Sequence, residues 1–566
     1  MIIGSLFLAL LHFTPALAQD PAPESRIKNV DQRGLQLALA RLATERPALV
    51  TVLPVGLSRQ GRRIEALRIA AGELTPGRPG VLLVANIDGP AVWTSALALD
   101  HARELTARYS SDERVKALLD STTVYIIPRV DVDAAEARFA APLHEVVASG
   151  PGVDDDRDGL QGEDPPADID GDGRILWMRV FDPKGEWLPD PLDPRATIKA
   201  DRAKGQRGVF KLVREGRDAD KDGEASEDEL LDTVLNRNFP QGWVEHAKDS
   251  GRFATEEPGA RALCEFLLLH KDIALVMTYG ALDNVVEKPK AEAKQARMST
   301  NPADGIPESD VAIYAEFGRR FGATGRGVKG EGKDVGTFQA WVQAQRGLWT
   351  VNVRPWSLPL EESKPKKESK EGDDAGPAKK GAEQEKPSDE VKRLHWLDAH
   401  GEGARFVPWK PFAHPELGQV EIGGFAPYAL IEPPDSERDE IANKNFDYLV
   451  ELAGLLPRVK LVDTRAKDLG DGLWNVECVL VNDSMLPLSS ALAQRTRAVR
   501  PARVTLALPQ GAQLLAGNVQ ELVSELAGSG GRKELRWLVR GKEPSAIRVL
   551  VDTDHAGAVS AVPEVK

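Results

Sequence analysis

Apolar positions along this chain fall into two rhythms. VTVLPVGLS, IEALRIAAG, VLLVANI and VYIIPRV are short apolar or alternating runs that predict strands, and AVWTSALALDHARELTARY between the last two predicts a helix. Further on, IALVMTYGAL and GLWTVNVRPW predict two more strands, spaced by the helical stretches EPGARALCEFLLLHK and ESDVAIYAEFGRRFG. Strands alternating with helices specify an α/β sheet in one large domain, closed by an amphipathic helix near residues 435–456. After Pro457 the texture changes. VKLVDTRA, LWNVECVLVN, ARVTLAL, KELRWLVR and AIRVLVDT alternate strictly and are separated by Gly, Asp and Asn turns, which predicts an all-β sandwich over 457–566.

Three stretches interrupt this pattern. Residues 1–18 end an apolar run with Ala16-Leu17-Ala18, which predicts a cleaved signal peptide and an exported, periplasmic, secreted or cell-surface protein. No later stretch reaches the ~18–20 apolar residues a spanning helix needs, so no membrane span is expected after cleavage. Residues 361–393 are charged and start without any aromatic or large aliphatic residue, so they predict a disordered insertion within 19–456. Residues 150–232 form a third, acidic insertion.

Composition narrows the partners. A net charge of -14 over 566 residues repels phosphate backbones and excludes nucleic acid as a partner, while favouring divalent cations. Two cysteines, Cys264 and Cys478, each inside an apolar run, predict buried thiols and cannot build a cysteine zinc site. Within the acidic insertion, Asp218, Asp220, Asp222, Gly223 and Glu229 satisfy D-x-D-x-D-G-x5-E, whose converging carboxylates suit calcium. Asp154, Asp156 and Asp158, and likewise Asp168, Asp170 and Asp172, open the same way but lack the twelfth-position Glu, so they are half-sites or share ligands. A structural calcium role is expected, with a solvated acidic loop as the plain alternative.

Leu235-Asn236-Arg237-Asn238-Phe239 follows, in order, RPALVTVLPVGLSRQGRRIEALRIA, VLLVANIDG and YIIPRVDVD. This ordered set resembles the zinc carboxypeptidases, the carboxypeptidase A-like metallopeptidases, and especially their bacterial exported branch, over roughly residues 30–456. The resemblance implies a mixed eight-stranded sheet flanked by helices. It also implies zinc held by an H-x-x-E pair at one strand end and a His at another, with a carbonyl-polarising Arg, an Asn-Arg clamp for the terminal carboxylate and a late-strand Glu base. Such chemistry needs three protein ligands, an open position for water, and a base within reach.

Residue by residue, this chain departs from that pattern. Asp88 stands at the ligand-His position and Ala91 at the ligand-Glu position, and the second ligand strand ends in Gly280 without a His. The base position falls on Asn352 or Arg354, and of the usual N-P-D-G turn only Asp133 persists. His101 and Glu104 spell H-x-x-E, but the helix carries His101 ~18–20 Å from the strand end, so a surface or half-buried helix face is expected for them. His144, His246 and His270 fit no ligand pattern. Asn236 and Arg237 match the carboxylate clamp, with a fold-stabilising role as the alternative, and Arg179 is a weaker candidate for the polarising Arg. These substitutions favour a non-catalytic relative that binds peptide C-termini. Two other readings stay open: an active zinc carboxypeptidase that uses Asp88 as a ligand, and a calcium-stabilised structural or adhesive module.

Overall fold

The computed structural model describes residues 25–148, 164–218, 225–226, 233–247, 249–293, 305–332, 334–360 and 386–566. The expected signal peptide, Asp154, Asp156, Asp158, Asp220, Asp222 and Glu229, and residues 361–385 lie outside them.

The central sheet is built from β1 (Val50–Leu57), β2 (Arg63–Ile69), β3 (Gly80–Val84), β4 (Thr123–Ile127), β5 (Ile273–Tyr279) and β6 (Trp349–Val353). Their spatial order is β1-β2-β4-β3-β5-β6, antiparallel at the β1-β2-β4 end and parallel through β4-β3-β5-β6. All residues of β3, β4, β5 and β6 are buried, as a parallel sheet covered on both faces requires. Val81 and Leu83 face one apolar cluster with helices α1 (Gln32–Glu45) and α2 (Trp93–Arg108), whereas Leu82 and Val84 face a second with α4 (Pro258–Leu269). Helix α3 (Glu113–Ser121) precedes β4, and α5 (Glu308–Thr324) and α6 (Asp435–Ala453) complete the first layer. Among the described residues this sheet has six strands, two fewer than the resemblance implied.

The acidic insertion is not a bare loop. Its strands Trp177–Phe181, Thr197–Lys199, Phe210–Arg214 and Trp187–Pro189 join Phe406–His414 and Gly418–Phe425 in a second six-stranded sheet. Leu176, Met178, Val420 and Ile422 give this sheet a small buried cluster of its own. The charged insertion expected over 361–393 also ends early: Ser388 caps a helix, Asp389–Ala399, that buries Val391, Leu394, Trp396 and Leu397. No described helix is long and apolar enough to cross a membrane.

Residues 459–565 form a five-stranded and a four-stranded sheet whose inward residues, among them Val476, Leu480 and Trp537 from one and Val504, Val549 and Val551 from the other, make one buried cluster. Cys478 lies inside it, and Cys264 is buried under the central sheet; both are free thiols whose pKa burial pushes up to about 12. The module is seated on the central domain through helix Ala491–Thr496. Asp310 of α5 accepts the N–H groups of Ala491 (2.9 Å) and Leu492 (3.2 Å), and Arg495 grips Glu292 through two hydrogen bonds of 2.8 and 2.6 Å.

Candidate functional site

The parallel strands end together, and the chain turns sharply after β3. Asn86 adopts a left-handed conformation (φ 46°) and its side-chain amide donates to the carbonyls of Asp88 (3.2 Å) and Gly89 (2.9 Å). Thr94, in the first turn of α2, accepts the Asn86 N–H and donates to the Ala91 carbonyl. This turn aims Asp88 at the end of β5. The Asp88 carboxylate accepts the Ala281 N–H (2.6 Å) and the Asn236 side-chain amide (3.1 Å). Gly280 is what permits this: a Cβ there would collide with Asp88 Oδ2. Two positions equated with zinc ligands by the resemblance therefore meet, and one carboxylate fills the space that a side chain on Gly280 would take. Burial raises the Asp88 pKa, against the opposing pull of the Ala281 N–H, the Asn236 amide and the Arg354 charge.

The side chains hydrogen-bonded in succession beyond Asp88 are neutral amides and a hydroxyl. Asn236, 4 % exposed, spends its other end on the Phe338 N–H (3.0 Å). Gln339 donates to Thr278 Oγ1 (3.3 Å), which donates to Asn352 Oδ1 (3.2 Å). The Asn352 N–H in turn donates to Asn284 Oδ1 (2.8 Å), and Asn284 donates to the Thr350 carbonyl (3.1 Å). Arg354 points to Glu331, with Nη2 to Oε2 at 3.0 Å. Neither candidate for the base position can accept a proton from water, since Asn352 is an amide and Arg354 an ion-paired guanidinium.

This donor set does not fit zinc. Asp88 already accepts two hydrogen bonds, the neighbouring carboxylate of Asp131 is buried against the Gly89 turn, and Asn236, Thr278 and Asn352 supply only amides and a hydroxyl, whereas zinc sites use His, Cys and carboxylate ligands. His101 does not rescue it. Its ring is fully buried rather than on a surface or half-buried face, with Nε2 2.8 Å from the Tyr279 hydroxyl and the rings of Tyr279 and Phe446 edge-on; burial pushes its pKa down to about 3. Glu104 pairs instead with Arg108 one turn along. His144 Nδ1 donates to the Pro142 carbonyl (3.1 Å), His270 stacks on Phe266, and His246 is 91 % exposed beside Glu245. Asp133 ties the β1–β2 turn, accepting from Ser58 Oγ, the Gln60 N–H and Arg62.

Arg179 lies away from this cleft, contrary to expectation. It sits in the second sheet, bonded to Thr197 Oγ1 and the Pro194, Arg195 and Ala196 carbonyls, with its guanidinium 4.0 Å from the Trp409 ring centre. Arg237 stays at the rim, 26 % exposed and 3.2 Å from Asp249.

A second group of carboxylates does assemble. Asp168 and Asp170 each place an oxygen within 4.8 Å of one on Glu215. Asp168 holds the turn through the Gly171 and Gly173 N–H groups, while Asp172 caps the Arg174 N–H. Glu215, fully buried, accepts the Ile169, Asp170 and Leu176 N–H groups; burial raises its pKa despite them. Motif spacing could not find Glu215, because the motif's twelfth position, counting Asp168 as the first, is Arg179, and the acid arrives from the end of the neighbouring strand Phe210–Arg214. Asp218 is described but stands outside this group.

Comparison with known proteins bears on the first of these sites. A family model described as zinc carboxypeptidase matches residues 36–162, a span that includes Asp88 and Ala91. Residues 36–162 are zinc-carboxypeptidase-like. Mouse carboxypeptidase D is 32% identical over 141 residues, covering 22% of this chain and 10% of that protein. A zinc carboxypeptidase of Saccharothrix mutabilis subsp. capreolus is 30% identical over 103 residues, covering 18% of this chain and 24% of its own. The chain thus spans a quarter or less of the length of these two relatives. Among solved structures, bovine thrombin-activatable fibrinolysis inhibitor in complex with tick carboxypeptidase inhibitor is 11% identical, with a TM-score of 0.36 over 75% of this chain and 96% of the other. Carboxypeptidase A of Helicoverpa armigera is 15% identical, with a TM-score of 0.36 over 59% of this chain and 66% of its own. Outside the carboxypeptidase-like region, a model described as a domain of unknown function (DUF8731) matches residues 458–562.

Proposed function

We propose that this is an exported, non-catalytic metallocarboxypeptidase-like protein whose cleft rim binds peptide C-termini. The observation that carries the non-catalytic part is the Asp88 carboxylate standing over Gly280, bonded to Ala281 and Asn236, where the resemblance expects two metal ligands. Export is supported by the apolar N-terminal run that ends in Ala16-Leu17-Ala18. The binding role rests on Arg237. Asn236 is consumed by Asp88 and Phe338, so the two-residue clamp is reduced to one guanidinium, paired with a half-exposed Asp249 that an incoming carboxylate can displace.

Metal analysis of the purified chain and hydrolysis of hippuryl-type substrates test the first part. Zinc well below one ion per chain and no chelator-sensitive turnover are expected, and stoichiometric zinc with turnover that EDTA abolishes refutes it. For binding, a labelled peptide with a free C-terminus is compared with its amidated form, before and after Arg237→Gln. Equal affinity for the two forms removes the proposed role.

A second reading is favoured by Glu215. With Asp168 and Asp170 it supplies the acid that the half-site lacks in sequence, in an arrangement of hard oxygens that suits calcium as a structural ion in the second sheet. A calcium-dependent rise in melting temperature supports this reading, and an unchanged melt with and without chelator counts against it.

A further inference from the structure

A cavity of about 660 Å³ opens where α3, the C-terminal ends of α5 and α6, and the first residues after Pro457 meet. It is distant in kind from the cleft, since none of its lining residues takes part in the Asp88 network. Arg458 forms part of its wall. Asn482, fully buried, fixes that wall by accepting the N–H groups of Arg458 (3.2 Å) and Ser484 (3.3 Å).

The charges in this wall match in number, Arg114 and Arg458 against Asp447 and Glu451, but not in pairing. Its carboxylates are committed, Asp447 to Arg114 (3.3 Å) and Glu451 to Arg320 (2.7 Å) and the Thr324 hydroxyl (3.1 Å). Arg458 has no carboxylate partner among the described residues. One nitrogen, Nη2, donates to Thr122 Oγ1 (2.9 Å); Nε and Nη1 make no hydrogen bond to the described residues. Behind it, buried Arg78 also reaches Thr122, donating to its carbonyl (3.0 Å), and its hydrogen bonds all go to backbone carbonyls. Two guanidinium groups thus converge on one threonine; Arg78 has the Asp120 charge nearby, whereas Arg458 has no carboxylate among the described residues to oppose it. Burial lowers the pKa of both; at Arg78 the Asp120 charge works against that shift and the neighbouring Arg458 adds to it. A desolvated, uncompensated cation is costly, and an anion delivered to it recovers that cost.

The remaining wall is apolar or small: Ala117, Leu118, Val450 and Gly454. We propose that this junction is a binding site for a small amphipathic acid, its oxyanion held by Arg458 and its apolar body lying against Leu118 and Val450. The chemistry recognised is a phosphate or carboxylate on a short alkyl chain.

Calorimetric titration of the full chain with octyl phosphate, octanoate, inorganic phosphate and octylamine tests this. Saturable binding of octyl phosphate or octanoate is expected, with inorganic phosphate at least about tenfold weaker for want of apolar burial, and no binding of octylamine. Which of the two acids binds tighter identifies the head group. Arg458→Gln should weaken binding about 10- to 100-fold, as expected for loss of a charge-assisted bond. Ala117→Trp, at an exposed lining position, should block the cavity while leaving the fold intact, so it stands as the control if Arg458→Gln does not fold. The site is refuted if neither acid binds saturably to the wild-type chain, or if binding survives both substitutions unchanged.

Discussion

Asp88 and Gly280 are one structural decision written at two places in the chain. The carboxylate can take the Ala281 N–H only while position 280 has no side chain. Gly280→Ala should therefore cost about 1–3 kcal/mol, the usual penalty for overpacking. Asp88→Ala should cost a similar amount, about 1–3 kcal/mol, by leaving the Ala281 N–H and the Asn236 amide without their acceptor. In the Asp88→Ala background the added methyl at 280 loses its worst clash and keeps only the 3.1 Å approach to Ile87 Cγ2, so urea unfolding of the four chains should show a coupling of about 1–2 kcal/mol. Strict additivity would mean that the two residues do not share the space. His101 makes a separate prediction at the same scale. Its ring is buried neutral, with a pKa pushed from 6.5 down to about 3, so the native state resists the proton that the unfolded chain accepts. The stability this gives is full above pH 6.5 and falls as pH drops toward 3, by roughly 2–3 kcal/mol at about pH 4.5. His101→Gln can keep a bond to the Tyr279 hydroxyl but has no proton to take up. Denaturation at pH 7 and at about pH 4.5 should show the wild type losing more stability than the variant, and equal losses would contradict the buried neutral ring.

Elements that carry their own hydrophobic pattern were legible in sequence; those completed by a partner far along the chain were not. GVLLV, TVYII and WTVNV are apolar at nearly every position because both sheet faces are covered, and α6 begins at Asp435 as its periodicity foretold. The second sheet escaped because Trp177–Phe181 lies among acidic turns, and its partner Gly418–Phe425 is more than 200 residues away. A shorter gap, from the Asp168 turn to Glu215, likewise hid that acid behind an incomplete motif. At the cleft, the residues Asp88, Ala91 and Gly280 could be read one by one, but the contact between Asp88 and Gly280 could not, because spacing says nothing about which side chain occupies a neighbour's volume. Glu215 tests the second sheet as an element. Glu215→Gln keeps the side chain's shape but weakens its acceptance of three N–H groups, with an expected cost of about 1–3 kcal/mol. If calcium binds there, the melting temperature of the wild type rises on adding calcium and that of Glu215→Gln does not. A variant that still responds would move the ion elsewhere.

The two modules are joined too closely to swing independently. Gly347, at the turn into β6, has φ 66°, and a Cβ there would lie 2.5 Å from the Ala493 Cβ. Gly77 meets the Thr553 carbonyl as closely, at 2.5 Å for its notional Cβ. With the Asp310 cap on helix Ala491–Thr496 and the Arg495–Glu292 pair, backbone-to-backbone approach and charged bonds hold the same face together. Such a junction couples unfolding, because neither module can expose its core without losing contacts that the other provides. The wild-type chain should therefore unfold in a single calorimetric transition. Gly347→Val adds a branched side chain where neither the left-handed backbone nor Ala493 leaves room, at a cost of about 1–3 kcal/mol. Because that cost falls on the junction and not on either core, the expected result is two resolved transitions, with the later one near the wild-type temperature. A single transition merely shifted downward would place the strain within the central domain instead. Octyl phosphate, if it sits in the cavity beside Arg458, contacts both modules at once and should draw the two transitions of Gly347→Val back together, since a ligand that needs both walls stabilises only the joined state.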